Sequence, residues 1–162
     1  GASAIATAGT TAKVARCLEL GADLAINYKE QDFAEAILAH TDGVDVVLDI
    51  AGADYLARNI QLLKLRGRLV IIAVLTGAET QINLLQMQVK RLRLIGSVLR
   101  SRSDAEKTAI VAAFKERFYP LLVDGQIQTV IHDVLPIERA ADAQAILSEN
   151  RNIGKVILQV RP

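Results

Sequence analysis

Short apolar runs alternate with longer stretches in which apolar residues recur every three or four positions along most of this chain. Ala4 to Ala8 is brief and β-compatible, whereas Thr11 to Leu20 sets Val14, Cys17 and Leu18 at helical spacing before Gly21 stops it. Leu24 to Asn27 reads as a second strand. Asp32 is suited to cap a helix carrying Phe33, Ile37 and Leu38 on one face. Val44 to Ile50 is nearly all apolar, as a strand covered on both faces should be. A helix is predicted over Asp54 to Leu65, closed by Arg66-Gly67, then an apolar strand over Arg68 to Leu75 and a further one over Leu92 to Leu99. From Ser103, with Glu106 three residues on, a long helix is expected to run to about Val123, kinked at Pro120.

Strands joined by crossovers of this length predict a parallel sheet with helices on both sides, hence an α/β class. The end of the chain departs from the alternation. Val130 to Leu135 and Lys155 to Val160 read as strands flanking a helix over Ile137 to Leu147, and they are expected to belong to a different sheet. The implied architecture is a Rossmann-like, doubly wound parallel sheet lacking its first strand and Gly-rich turn. Residues 1–129 form the truncated nucleotide-binding domain and 130–162 a separate tail.

Composition narrows the function classes. With 162 residues and 51% hydrophobic content, the chain can bury a real core. A net charge of +1, without runs of like charge, gives no support to nucleic-acid or membrane binding. Lys90-Arg91-Leu92-Arg93 reads as a solvated strand entry. A single cysteine, Cys17, allows no internal disulfide and suits a reducing compartment, so a cytoplasmic location is expected. No apolar run approaches the ~18 to 20 residues of a membrane span.

The candidate chemistry begins where the first strand ends. In doubly wound nucleotide-binding domains, the strand end beside the adenosine ribose selects between a bare hydroxyl and a 2′-phosphate, and an acidic residue favours the former. Here the strand runs into Gly9 and Thr10, with Lys13 in the first turn of the next helix and Tyr28 at the end of the next strand. A hydroxyl, an ammonium and a helix N-terminus suit a phosphate. That pattern points to NADPH. The loops after Asp49 and Leu75, with Gly52 and Gly77, are expected to border the cofactor because they follow strand carboxyl ends. His40 and His132 lie apart, no pair has metal-ligand spacing, and no catalytic side-chain constellation is apparent. Hydride transfer does not require one, since the cofactor carries the chemistry.

The motifs Thr-Ala-Gly-Thr with Lys13 and Tyr28, Leu20-Gly21-Ala22-Asp23, Val44 to Asp49, Gly67-Arg68-Leu69-Val70, Gly96 to Arg102 and Asn152-Ile153-Gly154-Lys155 occur in this order. Together they resemble NADPH:quinone oxidoreductases, the zeta-crystallin-like, zinc-free branch of the medium-chain dehydrogenase/reductase superfamily. The resemblance implies that Gly9, Lys13 and Tyr28 hold the 2′-phosphate, beside the Thr10 hydroxyl already singled out, that Ala73, Leu75, Leu99 and Arg100 lie near the nicotinamide, and that Asn152 closes the site from the tail. It further implies a quinone or related conjugated carbonyl as substrate, and a homodimer formed along the edge strand 92–99. The catalytic domain and the pyrophosphate-binding turn of the family fall outside these residues. The alternative is a non-catalytic dimerisation or nucleotide-sensing module.

Overall fold

The computed structural model describes residues 1–161. The chain divides into two compact units, the first spanning Gly1–Ser103 and the second beginning at Asp104. In the first unit the order is β1 (Ile5–Ala8), α1 (Thr11–Glu19), β2 (Leu24–Asn27), α2 (Phe33–His40), β3 (Val44–Asp49), α3 (Ala53–Leu62), β4 (Leu63–Ile71), α4 (Leu84–Lys90) and β5 (Arg93–Gly96). All ladders are parallel: β1 with β2, β3 with β4, and β4 with β5. The α/β, Rossmann-like class follows.

The ladder is interrupted between β1 and β3, which lie in separate two- and three-stranded sheets. In the strand order 3-2-1-4-5-6 that is the place of the first strand. One core nevertheless joins both sheets: Ile26, Phe33, Ala34, Ile37 and Leu62 are buried together, with Ile5 and Val44 packed against them. A second cluster of Leu56, Ile60, Leu63 and Leu69 fixes α3 beneath β4.

Local chemistry explains the boundaries. Asp32 caps α2, its Oδ1 accepting from the N–H groups of Ala34 (2.8 Å) and Glu35 (3.0 Å). Gly21, at φ 97°, ends the turn after α1. The third helix stops at Leu62, three residues short of the expected end, because Leu63 already pairs with Val44 in β4. Between that pair and Val46↔Arg68, β4 advances five residues while β3 advances two, so Lys64 to Gly67 bulge outward. The strand closes at Ile71, and Ile72 to Leu75 form a loop held by the preceding strand end. The seven-residue α4 has no counterpart among the predicted elements; Asn83, which accepts from Gln86 N at 3.1 Å, was its sequence signal.

The second unit contains α5 (Asp104–Arg117), α6 (Tyr119–Val123), β6 (Ile131–Pro136), α7 (Ala140–Ser148) and β7 (Lys155–Gln159). Pro120 does more than kink a long helix: it stands in the first turn of a new one, α6, after a break at Phe118. The strands β6 and β7 form their own parallel pair over Leu135, Ala143 and Ile146. The expected separate sheet is therefore present.

Candidate functional site

The carboxyl end of β1 is closely fitted to the residues that follow β2. Gly9 is buried, and a Cβ placed on it would stand 2.6 Å from Tyr28 Oη, 3.0 Å from Tyr28 Cζ and 3.4 Å from Lys29 Cε. Only glycine lets the tyrosine hydroxyl come this close to the backbone. Tyr28 is brought there by its backbone N–H, which donates to Ala8 O at 3.1 Å and extends the β1–β2 pairing past Asn27. Its ring meets Tyr55 edge-on, with centroids 6.1 Å apart at 84°. Tyr55 in turn stacks on Phe33 at 5.3 Å, and the Arg58 guanidinium lies 4.7 Å from both ring centroids. This aromatic and cationic stack holds the tyrosine hydroxyl toward Gly9. Burial pushes the Tyr55 phenol above its ordinary pKa, with the neighbouring Tyr28 adding to the shift.

Thr10 is the N-cap of α1, and its hydroxyl oxygen accepts from Lys13 N at 3.3 Å. The hydroxyl proton can still serve a further acceptor. Lys13 is half-buried in the first turn of the helix. Lys29, which sequence reasoning missed, brings its aliphatic stem to Gly9 while its N–H donates to Asn27 Oδ1 at 3.2 Å. Its position directly after Tyr28 was the available signal. Glu30 was also missed: its Oε1 accepts from Asn27 Nδ2 at 2.6 Å and from Thr11 Oγ1 at 3.5 Å, fixing a carboxylate near the start of α1.

The loops after β3 and β4 are tied together. The buried Asp49 carboxylate accepts from Ala51 N at 2.7 Å and from Gly52 N at 3.3 Å. Gly52 has φ 89°, and a Cβ there would meet Gly77 O at 2.8 Å and Val74 Cα at 2.9 Å. Thr76 Oγ1 accepts from Asp54 N at 3.1 Å and donates to Ala51 O at 3.0 Å. Beside this knot, Ile72, Ser97, Val98, Leu99, Arg100 and Ser101 surround a cavity of about 500 Å³.

The sequence-derived residues therefore fall into groups. Gly9, Thr10, Lys13 and Tyr28 converge at the end of β1 and the start of α1. Leu99 and Arg100 share the cavity with Ile72; Ala73 is half-buried just beyond it in sequence, and Leu75 is 77% exposed in the following turn, its N–H donating to Ile50 O at 3.2 Å. Asn152 belongs to the second unit, where its Nδ2 donates to Gly154 O at 2.7 Å and shapes the turn before β7. There His132 Nδ1 accepts from Ile153 N at 3.3 Å, a structural role.

The sequence profile of the zinc-binding dehydrogenase family matches residues 1–115. Quinone oxidoreductase-like protein 2 of Bos taurus is 25% identical over 99% of this chain and 46% of its own length, and quinone oxidoreductase 1 of Escherichia coli is 30% identical over 98% and 49%. The chain thus spans about half the length of the curated relatives it matches. Among solved structures, the quinone oxidoreductase of Thermus thermophilus, studied also as its complex with NADPH, superposes with a TM-score of 0.83 at 27% identity, covering 98% of this chain and 50% of that one. An NAD-dependent alcohol dehydrogenase superposes at 0.79 and 32%, covering 99% and 45%. A zinc site of the kind in the family's description needs three or four N, S or O ligands. Among the described residues no three His, Cys, Asp or Glu side chains are grouped to supply them. With a glycine-cleared strand end, a capped helix start and parallel strands that match those folds, the chain belongs to the zinc-binding dehydrogenase family, within the nucleotide-binding portion of the medium-chain dehydrogenases/reductases.

Proposed function

We propose that these residues form the cofactor-binding part of an NADPH-dependent, zinc-free quinone oxidoreductase. The observation that carries the reading is the close approach of Tyr28 Oη and Lys29 Cε to the backbone at Gly9, which gathers a hydroxyl and a lysine stem beside the N-terminus of α1. When bound, the reduced nicotinamide supplies a hydride to a quinone or a related conjugated carbonyl. The residues at hand bind and orient. Gly9 lets the Tyr28 hydroxyl come up to the strand end, Tyr28 Oη donates to the phosphate, and the ammonium groups of Lys13 and Lys29 offset its charge together with the first N–H groups of α1.

The turn locked by Asp49, with Gly52 against Gly77, gives the strand ends a fixed floor. Ile72, Val98 and Leu99 give the neighbouring cavity an apolar wall, and Arg100 supplies charge at its margin. Ala73 and Leu75 take the nicotinamide side in this reading, and two copies pair along the edge strand 92–99. The parent protein works in the cytoplasm. Lys13→Ala in the full-length parent is expected to weaken NADPH binding by roughly 1.5 to 3 kcal/mol, about ten- to hundredfold, and to leave NADH binding nearly unchanged. Equal losses for the two cofactors refute the assignment.

One observation favours a second reading. The Glu30 carboxylate lies by Thr11 at the start of α1, and an acid at the ribose edge suits the bare 2′-hydroxyl of NADH. Against it, Glu30 is already engaged by Asn27 and Thr11, while Lys29 lies against the glycine and Lys13 stands in the first turn of α1.

A further inference from the structure

Four arginines gather at the opposite ends of the strands, where β4 and β5 begin. Arg66, Arg68, Arg91 and Arg93 line a concavity of about 490 Å³ with Leu65 and one carboxylate, Asp45. Arg68 and Arg93 are direct partners in the β4–β5 ladder, so their side chains project from the same face as cross-strand neighbours. Like charges in that position repel and destabilise a sheet. The other two arginines occupy left-handed backbone, Arg66 at φ 64° and Arg91 at φ 52°, a conformation that L residues adopt at a cost. Arg66 is carried into place by the bulge in β4, and Arg91 by the C-terminal cap of α4.

The surrounding lysines are engaged, whereas these guanidinium groups are not. Lys64 Nζ pairs with Asp42 at 2.5 Å, and Lys90 Nζ donates to the carbonyls of Ile60, Gln61 and Leu63. Among the described residues, no side-chain hydrogen bond or ion pair engages any of the four arginines. Repulsion and backbone strain are thus concentrated at one concave site that holds four forked donors against one acid. Guanidinium forks match phosphoryl oxygens in geometry as well as charge.

We propose that this concavity binds a small ligand bearing a diphosphate, either free pyrophosphate or the diphosphate of a nucleotide. The site is separate from the β1 strand end, and the proposal stands or falls independently of the cofactor reading. The test titrates the full chain with pyrophosphate, ADP and orthophosphate at constant ionic strength, by calorimetry. Expected is saturable one-to-one binding of pyrophosphate, at least tenfold tighter than orthophosphate. ADP binding as tightly as pyrophosphate identifies a nucleotide as the source, and much weaker ADP binding identifies the free ion.

Glycine accepts the left-handed backbone without penalty, so Arg66→Gly with Arg91→Gly removes two charges and keeps the fold. The pair is expected to weaken pyrophosphate at least tenfold while leaving the thermal midpoint unchanged or raised. If that variant does not fold, Arg68→Gln with Arg93→Gln serves in its place, with the same loss expected. Lys13→Gln should leave pyrophosphate binding intact. Absence of saturable binding, unchanged binding in the arginine variants, or loss of binding in Lys13→Gln would each overturn the proposal.

Discussion

Gly9 and Tyr28 are fitted to one another so closely that a single added carbon on Gly9 would stand 2.6 Å from the tyrosine hydroxyl. The contact joins the ends of β1 and β2 at the start of α1, where the cofactor phosphate is proposed to bind. Gly9→Ala should therefore force the Tyr28 ring away and reduce unfolding free energy by about 1 to 3 kcal/mol, the usual cost of overpacking. Tyr28→Phe keeps the ring packing and removes only the hydroxyl. It should leave stability within about 1 kcal/mol of the parent and weaken NADPH about tenfold. Chemical denaturation and cofactor titration of both variants separate the two effects, and Tyr28→Phe with unchanged NADPH affinity removes the hydroxyl from the site.

Lys90 belongs to the architecture. Its ammonium donates at 2.8 Å to Gln61 O and Leu63 O and at 3.2 Å to Ile60 O, satisfying carbonyls at the end of α3 and the start of β4. Lys90→Met preserves the apolar stem and strands those carbonyls. We expect a loss of about 1.5 to 3 kcal/mol and a fall of several degrees in the thermal midpoint, measured by calorimetry. A midpoint unchanged within a degree contradicts the role.

Two glycines of positive φ, one after β3 and one after α1, differ in what surrounds them. Gly52 and Gly21 both have positive φ, 89° and 97°, yet a Cβ at Gly52 meets Gly77 O and Val74 Cα, whereas one at Gly21 meets nothing within 4 Å. Gly21→Ala should cost about 1 kcal/mol, for backbone strain alone. Gly52→Ala adds a steric cost and should destabilise by about 2 to 4 kcal/mol. Equal effects, compared by urea denaturation, would show that the loop after β4 yields.

Acid should weaken the first unit through two carboxyls. Asp32 is held below its ordinary pKa by the Glu35 N–H and further by the Ala34 N–H and Arg58, and Asp42 chiefly by the Lys64 ammonium. A folded pKa below the unfolded value of about 3.9 means that the stability they confer is present above that pH. It is lost as the pH falls through the lower folded values. Asp32→Asn retains a capping oxygen but cannot titrate. Its stability should fall less between pH 5 and the lowered folded value than the parent's does; parallel acid denaturation curves would contradict this.

Much of this fold was legible because both its periodicities are strong. Val44 to Asp49 was legible as a strand, although it is not covered on both faces as its composition predicts: Val46 and Leu48 are exposed, so an apolar run fixed the element but not its burial. Asp32, Gly21 and Pro120 each act locally in ways their own chemistry dictates. The β4 boundary was not legible. Leu62 to Leu65 are compatible with helix, and the pairing of Leu63 with Val44, a tertiary event, decided the outcome. For the site, Gly9, Thr10, Lys13 and Tyr28 could be read from spacing along two strand ends. The lean of Lys29 over Gly9, the Glu30 anchor and the Tyr55–Phe33–Arg58 stack depend on how β2, α2 and α3 pack, which one-dimensional spacing does not encode.

The central claim is a 2′-phosphate site at Gly9, and parallel calorimetric titrations of this chain with NADPH and NADH test it most directly. We predict saturable NADPH binding at least tenfold tighter than that of NADH, with the preference abolished by Lys13→Ala. Equal affinities, a preference for NADH, or no binding of either cofactor would contradict it.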